Sequence, residues 1–135
     1  MAESPPRVLF DTSIFVAVER GRMSTPSGYD AAIAAITAAE LLQGVERAGE
    51  AYKPRRQVFV ENVISTLDIL PFDLATARVC AAIVARLYAG GTPIGIPDAM
   101  IAATALVAHR SVITLNHRHF ERVIGLRVMV LPHGR

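Results

Sequence analysis

The stretch that decides the fold is RVLFDTSIFVAVER, residues 7–20. The apolar run at its start, Arg7 to Phe10, predicts a short buried strand that ends at Asp11. The residues that follow, 12–20, predict a helix because their apolar side chains fall on one helical face. A buried strand that leads directly into a helix is typical of an alternating α/β fold.

The same alternation continues along the rest of the chain. A second strand is predicted at residues 33–36, although the alanines there also suit a helix. Further strands are predicted at residues 67–72, 111–115 and 126–131, and helices at residues 37–49, 54–67, 73–88 and 97–110. Strands alternating with helices predict an α/β domain with a mostly parallel central sheet of four to five strands, flanked by helices.

Length and composition restrict the class of protein. The 135 residues fit one domain, residues 7–135, preceded by a flexible tail, residues 1–6. An apolar fraction of 52% and a charged fraction of 19% exclude intrinsic disorder. The single cysteine, Cys80, has apolar neighbours and predicts a buried, inert thiol. We see neither a signal peptide nor a bilayer-spanning run, and therefore expect a cytoplasmic protein without membrane association.

Four polar residues occupy equivalent points of this layout, directly after a predicted strand or in the first turns of a predicted helix: Asp11, Glu40, Asp98 and Asn116. In parallel sheets the carboxyl ends of the strands share one edge, where ligands bind. If the three acids converge there, two carboxylates about 5 Å apart repel by about 3 kcal/mol at an effective dielectric of 20. A hard cation would relieve that repulsion, and oxygen ligands favour Mg²⁺ or Mn²⁺ over zinc.

Each of the four also has a purely structural interpretation. Asp11 and Asn116 suit helix N-caps. Residues 37–40, Thr-Ala-Ala-Glu, match a capping box. Asp98, beside Pro97, suits the positive end of a helix dipole. The neighbouring hydroxyls Thr12, Ser13 and Thr114 either orient an acid or serve as ordinary cap and strand residues.

Four segments of the chain together resemble the PIN domain, and more narrowly the VapC-type toxins of bacterial toxin–antitoxin pairs. They cover nearly the whole chain in the order typical of that family. The segments are VLFDTS at 8–13, ITAAELLQGV at 36–45, PDAMIAATA at 97–105 and TLNHRHF at 114–120.

The resemblance implies a metal-dependent endoribonuclease that is neutralised by a VapB-type antitoxin, and it suggests a homodimer. Mg²⁺ or Mn²⁺ would be held by Asp11, Glu40 and Asp98, with Asn116 at the fourth catalytic and metal-binding position. Many relatives continue Asn-x-x-Asp-Phe, whereas this chain has His119 before the phenylalanine. Asn116 would then bind through its amide oxygen or through water, and His119 would face RNA or solvent.

Two further sets of residues are expected to contact partners. The candidates for RNA contacts are basic residues, each with a plain solvated surface charge as the alternative: Arg20, Arg22, Arg110, Arg118, Lys53, Arg55 and Arg56. An antitoxin helix is expected to contact apolar residues of the early helices, of which at least half belong to the core: Ile14, Phe15, Val18, Leu41, Leu42 and Val45.

The main alternative is a PIN-like module that binds nucleic acid or protein without cutting it. A nuclease of DNA processing is a third possibility. The complete set of acids, Asp11, Glu40 and Asp98, favours an enzyme over a binding module. The net charge of +2 is compatible with a nucleic acid substrate without requiring one.

Overall fold

Alternating strands and helices build an open parallel sheet in the computed structural model, which describes residues 4–131. Of the predicted flexible tail, residues 4–6 are exposed and have no regular structure, and residues 1–3 lie outside the described residues. The end of the predicted domain, residues 132–135, also lies outside them.

Five strands and five α-helices follow one another along these residues, and twice two α-helices lie between consecutive strands. The strands are β1 (Arg7–Phe10), β2 (Asp30–Ala34), β3 (Asp68–Leu70), β4 (Ser111–Ile113) and β5 (Val128–Met129). The helices are α1 (Thr12–Glu19), α2 (Ala35–Arg47), α3 (Lys53–Thr66), α4 (Leu74–Ala89) and α5 (Ile96–Val107), and a short 3-10 helix spans His117–His119. The strand order is β3-β2-β1-β4-β5, and every neighbouring pair is parallel. The predicted fold class is confirmed.

The sheet has a hydrophobic core on each face. Residue 9 of β1 packs with α4 and α5, whereas residues 8 and 10 pack with α1, α2 and α3. This division follows the two-residue period of a strand. Cys80 is buried in the first core, as predicted, and burial raises the pKa of its thiol. All three apolar residues of β1 are at most 1% exposed, so β1 is the centre of the fold.

The order of the strands sets the position of the site. The chain moves outward from β1 to β2 and β3, and then returns to place β4 on the other side of β1. The strand order therefore reverses between β1 and β4, and parallel sheets bind ligands at the carboxyl ends of strands beside such a point.

The second strand begins and ends earlier than the sequence predicts. It spans Asp30–Ala34 rather than residues 33–36, and α2 begins at Ala35. The small alanines pair as a strand here because β1 and β3 flank them on both sides, a tertiary effect that outweighs their helix preference. The early start of α2 also changes the position of Thr37, which lies inside the helix and not at its cap.

Arg110 lies at the wrong end of the sheet for the RNA contact that the sequence analysis expects. It directly precedes β4, at the amino ends of the strands, and is 9% exposed. Its Nη1 donates to the carbonyl oxygens of Val8 (3.2 Å) and Asp30 (2.7 Å), and lies 3.3 Å from Asp30 Oδ1. The prediction was wrong, and the guanidinium instead joins β1 to β2.

We predict that Arg110→Leu destabilises the protein without affecting RNA cleavage. Loss of the buried charged hydrogen bonds should cost about 2 kcal/mol, which lowers the melting temperature by roughly 6–10 °C. Arg7→Leu is the control, because Arg7 donates to the Ala108 carbonyl oxygen at an exposed position. Thermal melts and cleavage assays on both variants would test this. An Arg110 variant of unchanged stability and lowered RNA affinity would contradict it.

Candidate active site

Asp11 lies at the carboxyl end of β1, almost completely buried. It is 4% exposed, and its backbone N–H donates to the Ile113 carbonyl oxygen of β4 at 3.0 Å. Its Oδ2 accepts hydrogen bonds from Ser13 Oγ and Thr114 Oγ1, each at 2.7 Å. The capping bond from the Ser13 N–H is longer, at 3.4 Å. Asp11 is therefore an N-cap of α1, but the two hydroxyl groups hold its carboxylate more closely.

The same two hydroxyls also hold the loop that follows β4. Ser13 Oγ accepts from the Leu115 N–H at 3.0 Å, and Thr114 Oγ1 accepts from the Asn116 N–H at 2.9 Å. Asn116 begins the 3-10 helix, but its exposed side chain makes no capping hydrogen bond. The hydroxyl groups thus couple the position of Asn116 to that of Asp11.

Glu40 is held by a hydroxyl from a different helix. Thr12 Oγ1 of α1 donates to Glu40 Oε1 at 2.6 Å and lies 3.1 Å from Thr37 Oγ1. A hydroxyl has one proton, and the contact with Glu40 is the shorter of the two, so Thr12 donates to Glu40 beside the fully buried Thr37. The capping-box interpretation of residues 37–40 is wrong, because Ala34 is the N-cap of α2.

Asp98 lies in the first turn of α5, whose N-cap is Gly95. This place in the first turn suits the positive end of the helix dipole, and Asp98 Oδ2 is also 2.8 Å from His119 Nδ1. Burial raises the pKa of Asp98; the negative charge of Asp11 acts in the same direction, and His119 partly opposes the rise. The negative charge of Asp11 therefore acts on Asp98 across the edge of the sheet.

His119 is more than a solvated loop residue. Its side chain is 54% exposed, yet its ring nitrogen pairs with Asp98. Sequence reasoning placed His119 facing RNA or solvent and missed this contact. The available signal was its position, since many relatives carry an acid where this chain has His119.

The donor set fits a hard divalent cation. Asp11, Glu40 and Asp98 are each held through one carboxylate oxygen, and no residue within 4–131 donates a hydrogen bond to the other oxygen. Carboxylate oxygens are the ligands that Mg²⁺ and Mn²⁺ prefer. In the described residues, however, no three His, Cys, Asp or Glu side chains are gathered closely enough to chelate one ion. The acids share an edge without forming a preassembled cage.

The chain is similar in sequence to known ribonucleases. The PIN domain family matches residues 8–126. Ribonuclease VapC of Rickettsia bellii is 40% identical over 129 residues, which cover 93% of this chain and 96% of the relative. The tRNA(fMet)-specific endonuclease VapC of Shigella flexneri is 38% identical over 96 residues, 70% of each chain.

Solved structures agree with this similarity. DNA-bound VapBC from Salmonella typhimurium superposes with a TM-score of 0.79 at 31% identity, covering 93% of this chain and 98% of that one. VapBC2 from Rickettsia felis bound to a promoter fragment has a TM-score of 0.83 at 22% identity, covering 93% and 99%, and shares the fold. None of the helices within residues 4–131 is both long and apolar enough to cross a bilayer. Because sequence and structure agree over almost the whole chain, this chain belongs to the PIN domain family and, within it, to the VapC ribonucleases.

Proposed function

We propose that this chain is the toxin of a VapBC-type pair, a metal-dependent endoribonuclease that hydrolyses RNA phosphodiester bonds and is neutralised by a VapB-type antitoxin. The observation that carries the proposal is the set of three acids, Asp11, Glu40 and Asp98, at the carboxyl edge of the sheet. Each is held through one oxygen and keeps the other available. The related ribonucleases support the same activity.

Mg²⁺ or Mn²⁺ would be held by Asp11 and Asp98, with Glu40 as a third ligand or as the base that orients the attacking water. Asn116 is the fourth candidate, because its exposed side chain is free to offer an amide oxygen. When bound, the ion activates water and neutralises charge on the scissile phosphate.

The surrounding hydroxyls keep the acids in their reactive orientation. Ser13 and Thr114 donate to Asp11 Oδ2, which leaves Oδ1 without a donor among residues 4–131 and available as an acceptor. Thr12 donates to Glu40 Oε1, which leaves Oε2 to accept a proton from water. His119 holds Asp98 through Oδ2. These contacts favour an enzyme over a non-cleaving module, because they prepare three carboxylates for a function that packing alone does not require.

The remaining features of the chain fit a cytoplasmic toxin. We treat residues 7–135 as its single domain, since both cores share one sheet. A lone buried cysteine, Cys80, is compatible with a reducing compartment. The homodimer that the family resemblance suggests stays a prediction, which light scattering on the free toxin would test.

We predict that Asp98→Asn raises the melting temperature in EDTA. Because the pKa of Asp98 is raised, its charged form is less favourable in the folded protein than in the unfolded chain, and removing the charge stabilises the fold. The variant should also lose most of the stabilisation that Mn²⁺ gives the wild type, since a ligand stabilises only the state that it binds. Thermal melts in EDTA and in Mn²⁺ measure both effects.

Asp73→Asn is the matched control. The Thr76 N–H and hydroxyl lower the pKa of Asp73, so its charge favours the folded state, and its removal should lower the melting temperature in EDTA. The response to Mn²⁺ should stay unchanged. If the Asp98 variant melts lower in EDTA and keeps the full Mn²⁺ response, Asp98 is not a metal ligand and has only a structural role in the helix.

We also predict that Thr114→Val weakens Mn²⁺ binding by about 10- to 100-fold, the usual effect of losing a hydrogen bond to a metal ligand. Valine keeps the shape but donates nothing to Asp11 Oδ2, whereas Thr114→Ser should retain the affinity. Thr104→Val is the control, because Thr104 is equally buried but bonds the Met100 carbonyl oxygen. Isothermal titration of the free protein measures the affinity. Equal affinities in all variants would contradict the role of the hydroxyl.

The structure agrees with the expectation that at least half of the candidate antitoxin contacts belong to the core. Four of the six apolar residues belong to the core, and Leu42 is 40% exposed. We predict that Leu42→Asp weakens co-purification with the co-expressed antitoxin and restores cleavage. Val107→Asp is the control, since Val107 is 38% exposed but lies at the end of α5. Full inhibition of the Leu42 variant would exclude this surface.

A further inference from the structure

A cleft adjoins the proposed metal site and shares Asp98 and His119 with it. Its volume is about 460 Å³, within the range of sites that hold small ligands. It extends from Asp98 and His119 along the loop before α5. The other residues that line it are Leu87, Thr92, Pro93, Ile94, Gly95, Arg118 and Arg122. Asp98 belongs to the proposed catalytic site, so a ligand in the cleft would border that site.

The charge of the cleft is predominantly positive. Arg118 and Arg122 are both exposed, and neither forms an ion pair with a residue in the described part of the chain. Asp98 is the only carboxylate among the lining residues. Two arginines expected from sequence to contact RNA are engaged elsewhere: Arg56 pairs with Glu19 at 2.9 Å, and Arg110 is buried at the opposite edge. Arg118 and Arg122 therefore remain available to bind an anion.

The cleft also has apolar lining residues. Leu87, Pro93 and Ile94 are apolar, and a Cβ atom built on Gly95 meets nothing within 4 Å. Guanidinium groups suit phosphates, and apolar side chains suit bases that are not stacked on one another. A cleft with both therefore suits a nucleic acid strand whose bases are unstacked. Single-stranded RNA presents those groups, whereas the bases of a duplex remain stacked and paired.

We propose that this cleft binds the backbone of a single-stranded RNA segment next to the scissile bond, with Arg118 and Arg122 each contacting a phosphate. The inference rests on the proposed function and adds to it the direction in which the substrate leaves the metal site. Sequence reasoning included Arg118 among several basic residues and missed Arg122, because nothing in the sequence shows that the two share a cleft.

The test measures binding of a labelled 12-nucleotide single-stranded RNA to the free toxin in EDTA, where metal-dependent cleavage does not occur. Each phosphate contact contributes about 0.7 to the slope of log affinity against log salt for a single strand. Arg118→Gln/Arg122→Gln should therefore reduce the steepness of this negative slope by about 1.4. It should weaken binding at 0.1 M salt by about 25-fold. A melting curve of each variant shows that it is folded.

Arg47→Gln/Arg78→Gln is the matched control, because it removes two exposed charges from α2 and α4, outside the cleft and outside the set of candidate RNA contacts. This variant should keep nearly the wild-type slope. Gly95→Leu provides a test independent of charge: φ at Gly95 is −65°, which any residue adopts, and the leucine side chain should enter the cleft. It should weaken binding at least several-fold while leaving the salt slope unchanged.

The outcomes separate this inference from the proposed function. Equal losses of affinity and slope in the two double variants would overturn the cleft as the RNA site. An Arg118/Arg122 variant that binds RNA normally but escapes inhibition by the antitoxin would assign the cleft to a protein partner, and would also overturn it. Wild-type protein that neither binds this RNA nor cleaves any RNA with Mn²⁺ would contradict the proposed function itself.

Discussion

The parallel pairing of β1 with both β2 and β4 is the constraint on which the rest of the structure depends. β1 is central and buried on both faces, and its end is joined to β4 by the hydrogen bond from the Asp11 N–H to the Ile113 carbonyl oxygen. Chain segments that leave β1, β2 and β4 therefore begin at one edge. Asp11, Glu40 and Asn116 follow these three strands, so residues far apart in sequence become neighbours for purely topological reasons.

The cost of placing acids at this edge explains the polar groups around them. A buried carboxylate needs hydrogen bonds or a counter-charge. Asp11 has two hydroxyl donors, Glu40 has the Thr12 hydroxyl, and Asp98 has the exposed His119 ring. These partners do not fully relieve Asp98, whose pKa stays raised by burial and by the charge of Asp11. A divalent ion would remove the remaining penalty, which links the stability of the folded chain to the chemistry proposed for it.

Most of the fold could be predicted because its signals are local. Strand β1, the helix after it and the run of α5 follow from hydrophobic pattern, and the helix that begins after Asp73 follows from its cap, which Thr76 completes. The second strand was misplaced because its alanines have little strand preference and become a strand only between β1 and β3. Arg110 was misassigned because its side chain crosses to β1 and β2, which no local pattern encodes.

The sequence by itself determined the alternation of strands and helices, the identity of the four candidate residues, and the resemblance to the PIN domain, since each depends on residue type and spacing along the chain. Only the tertiary structure decided which groups hold these residues. Glu40 accepts a hydrogen bond from the Thr12 hydroxyl and is not part of a capping box. His119 pairs with Asp98, and Arg122 lines the same cleft as Arg118. Those contacts join separate elements of the fold, and their geometry exists only once the strands have paired and the helices have packed against the sheet.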